Sequence, residues 1–297
     1  MSDPVSDCPQ LPCCPIPLAG HSDKFRGSAV LGTVAKLTGL EEEKNYHLIE
    51  EDEYLRHHLP ALHGSYPSST PGKVFLLLEN CLHSFSDSAN ILDCKMGVRT
   101  FTEETLMTAR QNPELRYDLY QRMVEVDHTE PTQVEHYLQK VALHRFMVWR
   151  DTISSTTTLG FRIKGVRKRG ISYQHYKTVT SKKKIFKVIS RFLKDFPWTA
   201  TEFLGQLETL RNDLKCSKFF ESHEFIGTSL LFVVDKSRCG VWLIDLEKVS
   251  LLPHHVTVDH VSDWAQGNHE DGYVSGLDNL ICLFKNIVLH FNGEEHP

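Results

Sequence analysis

The sequence predicts a mixed fold, α+β with α/β character, arranged as two lobes that share a cleft. Three observations predict it. The 297 residues, 40% hydrophobic and 24% charged, suffice for one large domain or two lobes and are ordinary for a globular chain. Residues 73–78 form a strongly apolar run of strand length that ends in Glu79-Asn80-Cys81-Leu82. Polar then apolar, that ending suits a hinge between a small N-terminal lobe and a larger C-terminal one. A second strand-like run from Ile91 carries Asp93 and Lys95 two residues apart, on one face by the strand period.

Taken in order, residues 1–19 read as a disordered lead-in. They hold Asp3 and Asp7 and lack the charged-then-apolar pattern of a signal peptide. No apolar run approaches the roughly 20 residues of a membrane span, so a cytoplasmic or nuclear location and no transmembrane segment are expected. Eight cysteines show no metal-ligand spacing and read as free thiols. His57-His58 and His254-His255 lack partners at ligand spacing and read as surface histidines. A small-residue turn at 20–28 leads to a strand at 29–37 with Lys36 at its end. Several kinases hold ATP phosphates with a strand lysine behind a hairpin, although a strand-end lysine is more often merely solvated. Tyr46, Ile49, Tyr54 and Leu55 then stripe a helix at 45–58.

After Asp93 and Lys95, Gly97 permits a turn, and Thr100 with Glu103 reads as a capping box opening a helix over 101–110. Asn112-Pro113 reads as the start of a helix that buries Leu115, Leu119, Met123 and Val126, with Arg116 on another face. The pattern at 132–151 predicts one continuous helix with Val134, Tyr137, Leu138 and Val141 inward and Arg150 near its end. A polar break leads to a strand at 159–166. From 161 to 194 there is no acidic residue, while Lys and Arg recur, a local field that attracts polyanions. No zinc pattern or recognition module accompanies it, so nucleic acid is not expected as a partner. A helix at 199–214 precedes a hairpin at 228–246 that delivers Asp245 to the end of a strand. A phosphate-bound magnesium wants an oxygen ligand at such a place. A polar loop at 267–273 opens the last helix, with Val274, Leu277, Leu280, Phe284 and Ile287 inward.

These residues resemble the inositol polyphosphate kinase family, and within it the inositol-trisphosphate 3-kinase branch. The family signature Pro-x-x-x-Asp-x-Lys-x-Gly is met by Asp93, Lys95 and Gly97, with Ala89 in the place of proline. Trp149-Arg150, the stretches 155–161, 227–232 and 242–245, and Glu270-Asp271-Gly272-Tyr273 extend the resemblance from about residue 20 to 291. It implies an ATP-grasp-like, distantly protein-kinase-like fold. The small ATP-binding lobe would span 20–82 and the larger lobe 83–297, with a helical inositol-phosphate-binding insertion at about 102–153. ATP and Mg2+ are the implied cofactors, and the implied reaction phosphorylates the 3-hydroxyl of inositol 1,4,5-trisphosphate.

By position, the resemblance gives Lys36 the ATP phosphates, Glu79 and Cys81 the adenine, Arg167 an ATP contact and Asp245 the metal. Asp93 would face the ribose or the attacking hydroxyl, and Lys95 would bridge substrate and transferring phosphate. Arg116, Arg150 and Lys248 would bind substrate phosphates. Three departures point to weaker or shifted substrate binding: Glu247 where the family has glycine, Leu143 for a substrate lysine and Phe146 for a tyrosine. A broader multikinase and a catalytically weak inositol-phosphate-binding protein are the rival expectations. Residues 1–19 are not basic and amphipathic, so no calmodulin-binding segment is expected there.

Overall fold

The computed structural model describes residues 24–173, 176 and 178–293, and the expected lead-in at 1–19 lies outside them. The chain begins with β1 (Phe25–Gly27), β2 (Thr33–Gly39), α1 (Leu40–Glu50), β3 (Leu62–Pro67) and β4 (Lys73–Glu79). Their strands form an antiparallel sheet in the order β1-β2-β4-β3. Along β4 buried Val74, Leu76 and Leu78 alternate with half-buried neighbours, as in a strand with one face on a core. The helix expected at 45–58 is divided. α1 starts at Leu40, and a separate 3-10 turn at Leu55–His58 follows. Asp52 accepts from the backbone N–H groups of Tyr54 and Leu55, which starts that second turn.

The second sheet opens with β5 (Asn90–Met96), in which every residue is buried except half-buried Lys95. Next come α2 (Glu103–Gln111), β6 (Leu115–Arg116), α3 (Tyr117–Val126), α4 (Gln133–Leu138), β7 (Val141–Ala142) and α5 (Leu143–Thr152). Here the sequence reading needs three corrections. The N-cap of α2 is Thr102, which accepts from Thr105 N at 3.1 Å; Thr100 is engaged elsewhere. Asn112 ends α2 instead of starting a helix, and Leu115 and Val126 are exposed. The run 132–151 breaks at Gln139, whose φ of 51° is left-handed, so Val134, Tyr137 and Leu138 face solvent on a separate short helix. Leu119, Met123, Val141, Phe146 and Trp149 form the small core of this segment.

The remainder comprises α6 (Thr156–Leu159), β8 (Phe161–Lys168), β9 (Ile171–Tyr173), α7 (Lys182–Leu193), α8 (Thr199–Cys216), α9 (Lys218–Ser222), β10 (His223–Ile226), β11 (Ser229–Val234), β12 (Cys239–Ile244), β13 (Lys248–Leu251) and α10 (Tyr273–Phe291). The second sheet runs β12-β11-β5-β8-β9, antiparallel throughout. Leu92, Cys94 and Met96 of β5 join the main core with α7, α8 and α10. Phe203, Phe232 and Phe284 meet there with ring centroids 5.3–6.0 Å apart. Strand alternation therefore sends Asp93 and Lys95 to the opposite face.

By length and composition α10 could cross a membrane, which the sequence reading had not anticipated. Its Tyr273, Leu277, Leu280, Phe284 and Ile287 are fully buried, so it is the central core helix of this fold. It begins beside Gly160, where backbones touch: a Cβ at Gly276 would lie 1.9 Å from Gly160 O. Gly97 N donates to that same oxygen at 2.8 Å, tying the turn after β5 to the start of α10.

Candidate active site

Asp93 and Lys95 lie mid-sheet between β11 and β8, and the charged side chains that meet them come from β8 and from the residue just after β12. On β8 the register slips by one residue: Asp93 faces Gly165 while Cys94 faces Ile163, leaving Lys164 as the extra residue of a bulge. Its Nζ stands 3.0 Å from Asp93 Oδ2 and 3.7 Å from Asp245 Oδ2. The other oxygen, Asp93 Oδ1, is buried and has no hydrogen-bond partner.

Asp245 follows the last residue of β12 with a φ of 67°, a left-handed conformation unusual for a residue with a Cβ. Lys36 reaches it from β2 at 2.8 Å, and Lys95 stands 4.0 Å away. Burial opposes ionisation of Asp245, but Lys36, Lys95 and Lys164 outweigh it and hold the carboxyl far below its usual range. Lys36 in turn resists burial because Asp245 and Glu42 raise its affinity for the proton. Burial dominates at Lys95 and lowers it to about 8; its ammonium donates to Gly227 O.

Glu42 is a member of this cluster that sequence reasoning missed. Fully buried on α1, it accepts from Lys36 Nζ at 2.8 Å, Thr38 Oγ1 at 2.5 Å and Leu246 N at 2.8 Å. It thereby fixes the strand lysine and the backbone next to Asp245 together. Lys164 was visible in the sequence only as one more cation in a basic stretch.

A second group surrounds Thr100 and Asp151. Asp151, 1% exposed, accepts from Thr100 N and Oγ1 at 2.7 Å, and Arg162 approaches it at 3.3 Å. Arg150 donates to Thr100 Oγ1, and Lys248 Nζ donates to Thr100 O at 3.3 Å. Burial, reinforced by Arg150, lowers the pKa of Lys248. Arg150 and Arg162 share the Asp151 carboxylate, Lys248 is drawn to Glu247 and Asp151, and the surplus positive charge suits a polyanion.

The other expected site residues are placed differently. Glu79 and Cys81 lie at the end of β4 and in the following turn, where the Glu79 carboxylate accepts from Ala61 N at 3.2 Å. Burial pushes the Cys81 thiol well up. Arg167 donates to Asp87 O at 3.1 Å beside that turn. Arg116 is bidentate to Asp118 at 2.9 and 2.8 Å and has no contact to the cationic group. Glu247, expected to add negative charge beside bound phosphate, interacts with Lys248 and is also held by Lys24 at 3.2 Å and Lys73 at 3.1 Å. Phe146 is buried against Trp149, and Leu143 packs on both small cores of the helical segment.

Comparison with known proteins follows the same lines. Residues 75–285 match the family profile described as inositol polyphosphate kinase. The chain is 42% identical over 276 residues to inositol-trisphosphate 3-kinase A of Rattus norvegicus, covering 92% of this chain and 59% of that protein. It is 39% identical over 275 residues to inositol-trisphosphate 3-kinase C of Mus musculus, covering 92% and 40%. The chain therefore spans 59% or less of the length of these two curated relatives. Among solved structures, it resembles the inositol phosphate multikinase Ipk2 of S. cerevisiae in complex with ADP and Mn2+. That likeness, of fold alone, has a TM-score of 0.56 at 17% identity and covers 84% of this chain and 98% of the other.

Proposed function

This chain belongs to the inositol polyphosphate kinase family, and from that premise we propose that it transfers the terminal phosphoryl group of ATP to the 3-hydroxyl of inositol 1,4,5-trisphosphate, giving inositol 1,3,4,5-tetrakisphosphate. The observation that carries the reading is one cluster, in which Lys36 and Lys95 meet Asp245, and Lys164 joins Asp245 to Asp93. The names of the 3-kinase relatives support the choice of substrate and position. The finer architecture we infer is two-lobed and ATP-grasp-like, with a nucleotide lobe at 20–82, a larger lobe at 83–297 and a substrate insertion near 102–153.

Phosphoryl transfer asks a protein to position groups and neutralise charge. Lys36, fixed by Glu42, holds nucleotide phosphates. Asp245 fits a hard divalent cation: its carboxylate is ionised throughout the physiological range and lies among phosphate-binding lysines. When bound there, Mg2+ supplies charge neutralisation on the phosphates. Asp93 Oδ1, buried without a partner, accepts a hydrogen bond from the ribose or the attacking hydroxyl. Lys95, next to it on β5, neutralises the transferring group. Arg150 and Lys248 take substrate phosphates, each hydrogen bond to a charged group contributing roughly 1.5–3 kcal/mol. Arg116 joins them only by leaving Asp118. Arg167, Glu79 and Cys81 line the adenine end.

The test is a position-resolved product assay with ATP, Mg2+ and a panel of inositol phosphates. Conversion of the 1,4,5-trisphosphate to the 1,3,4,5-tetrakisphosphate is the expected result. Equal use of many inositol phosphates would make the protein a multikinase. Binding without product would make it a binding protein.

A further inference from the structure

Lys164 is given no contact to nucleotide or substrate in the function just proposed, yet it stands between the two acids of the site. We propose that it is a tethered cation bridging Asp93 and Asp245, filling the place of a second divalent ion, so that the site takes one such ion per nucleotide. The proposal rests on the nucleotide-binding reading above.

Four observations converge on it. First, the placement is built by the fold. Lys164 is the residue left unpaired by the bulge in β8, and its neighbour Gly165 brings no side chain against Asp93. Second, one Nζ lies 3.0 Å from Asp93 Oδ2 and 3.7 Å from Asp245 Oδ2. Kinases and other two-ion phosphoryl-transfer sites use acidic oxygens arranged in this way to hold and bridge their cations.

Third, the charge is already matched. Lys36, Lys95 and Lys164 all lie within 4.0 Å of Asp245, while Glu42 offsets only Lys36. A first divalent ion arrives with the phosphates that neutralise it, but a second would have to enter among these ammonium groups, with both acids already paired to lysine. Fourth, Asp93 makes its one ion pair among the described residues with Lys164, through Oδ2, while Oδ1 stays unpartnered. The lysine therefore divides the carboxylate, one oxygen held and one left for a hydroxyl. Lys164 is a positioning residue, acting through the two acids.

Counting bound ions tests this without reference to turnover. Mn2+ is titrated into the full chain at saturating ADP and followed by electron paramagnetic resonance, with ADP binding measured alongside by calorimetry. The wild type should bind one Mn2+ per ADP, and Lys164→Arg, which keeps the charge, should do the same. Lys164→Gln should gain a second Mn2+, with affinity at least about tenfold above any second binding in the wild type and with spin coupling to the first. Two ions per ADP in the wild type would overturn the proposal, as would a Lys164→Gln protein that still takes only one. If Lys164→Gln fails to fold, the counts for the wild type and Lys164→Arg decide, and two ions in either is fatal. Absence of ADP-dependent Mn2+ uptake in the wild type would overturn the nucleotide reading itself. Uptake of two ions would leave that reading standing and remove only the role of Lys164.

Discussion

Lys95 combines two properties that pull apart at the scale of a single residue. Burial lowers it to about 8, yet Asp245 at 4.0 Å and the Gly227 carbonyl keep its ammonium in place. Because its bonds are few and its partners are functional, removing it should harm the reaction more than the fold. Lys95→Ala is expected to lower kcat about ten- to a hundredfold, the loss of one hydrogen bond to a charged phosphate. The urea midpoint should stay close to that of the wild type. A large drop in midpoint with unchanged kcat would contradict the assignment. Asp93, Lys95 and Asp245 were legible because strand alternation and strand ends are written in local pattern. Glu42 was not, since only the folding of α1 back across β2 brings it to Lys36. Nor was the role of Lys164, because a one-residue register slip leaves no mark on a basic stretch.

At the scale of elements, the turn after β5 and the start of α10 form one backbone junction. Gly276 leaves no room for a side chain against Gly160, and Gly160 O also receives the Gly97 N–H. Gly276→Ala should therefore destabilise the protein by about 2–4 kcal/mol, through overpacking against immobile backbone. Denaturant titration of the variant measures this, and a loss below about 0.5 kcal/mol would refute the junction's importance. The strong helices at 199–214 and at the chain's end were readable from apolar spacing. The helical segment was misread where the apolar pattern ran on through Gln139. A left-handed residue breaks a helix without breaking its hydrophobic period. Thr100 was misread for a related reason. A Thr three residues before a Glu fits a cap, but Asp151 claims Thr100 from 51 residues away.

For the whole molecule, pH acts through a histidine outside the site. His223 is buried, stacks on Phe219 at 3.9 Å between ring centroids and shares its Nδ1 with Phe219 O at 2.8 Å. Burial holds its pKa below the ordinary 6.5. Between that lowered value and 6.5 the unfolded chain binds a proton that the native state refuses, so the native state loses ground as pH falls. Urea midpoints should fall as the pH drops below about 6.5, the unfolded-state value, and His223→Gln should flatten that part of the profile. An unchanged slope in the variant would place the acid sensitivity elsewhere.

The departure at Glu247 has a different meaning once Lys24 and Lys73 are seen to hold it. Lys73 opens β4 of the first sheet and Lys24 directly precedes β1, whereas Glu247 lies two residues beyond Asp245 after β12. All three side chains are about one-third exposed, so each pair is worth only about 0–1 kcal/mol and is screened by salt. The contact is a weak electrostatic link between the N-terminal sheet region and the segment that carries Asp245. Ionic strength then becomes a handle on ligand exchange. Stopped-flow release of a fluorescent ADP analogue should quicken as salt rises, and Glu247→Gly should release it faster at low salt while responding less to added salt. In a relative with glycine at that position, the two sheets would part without breaking an ion pair there.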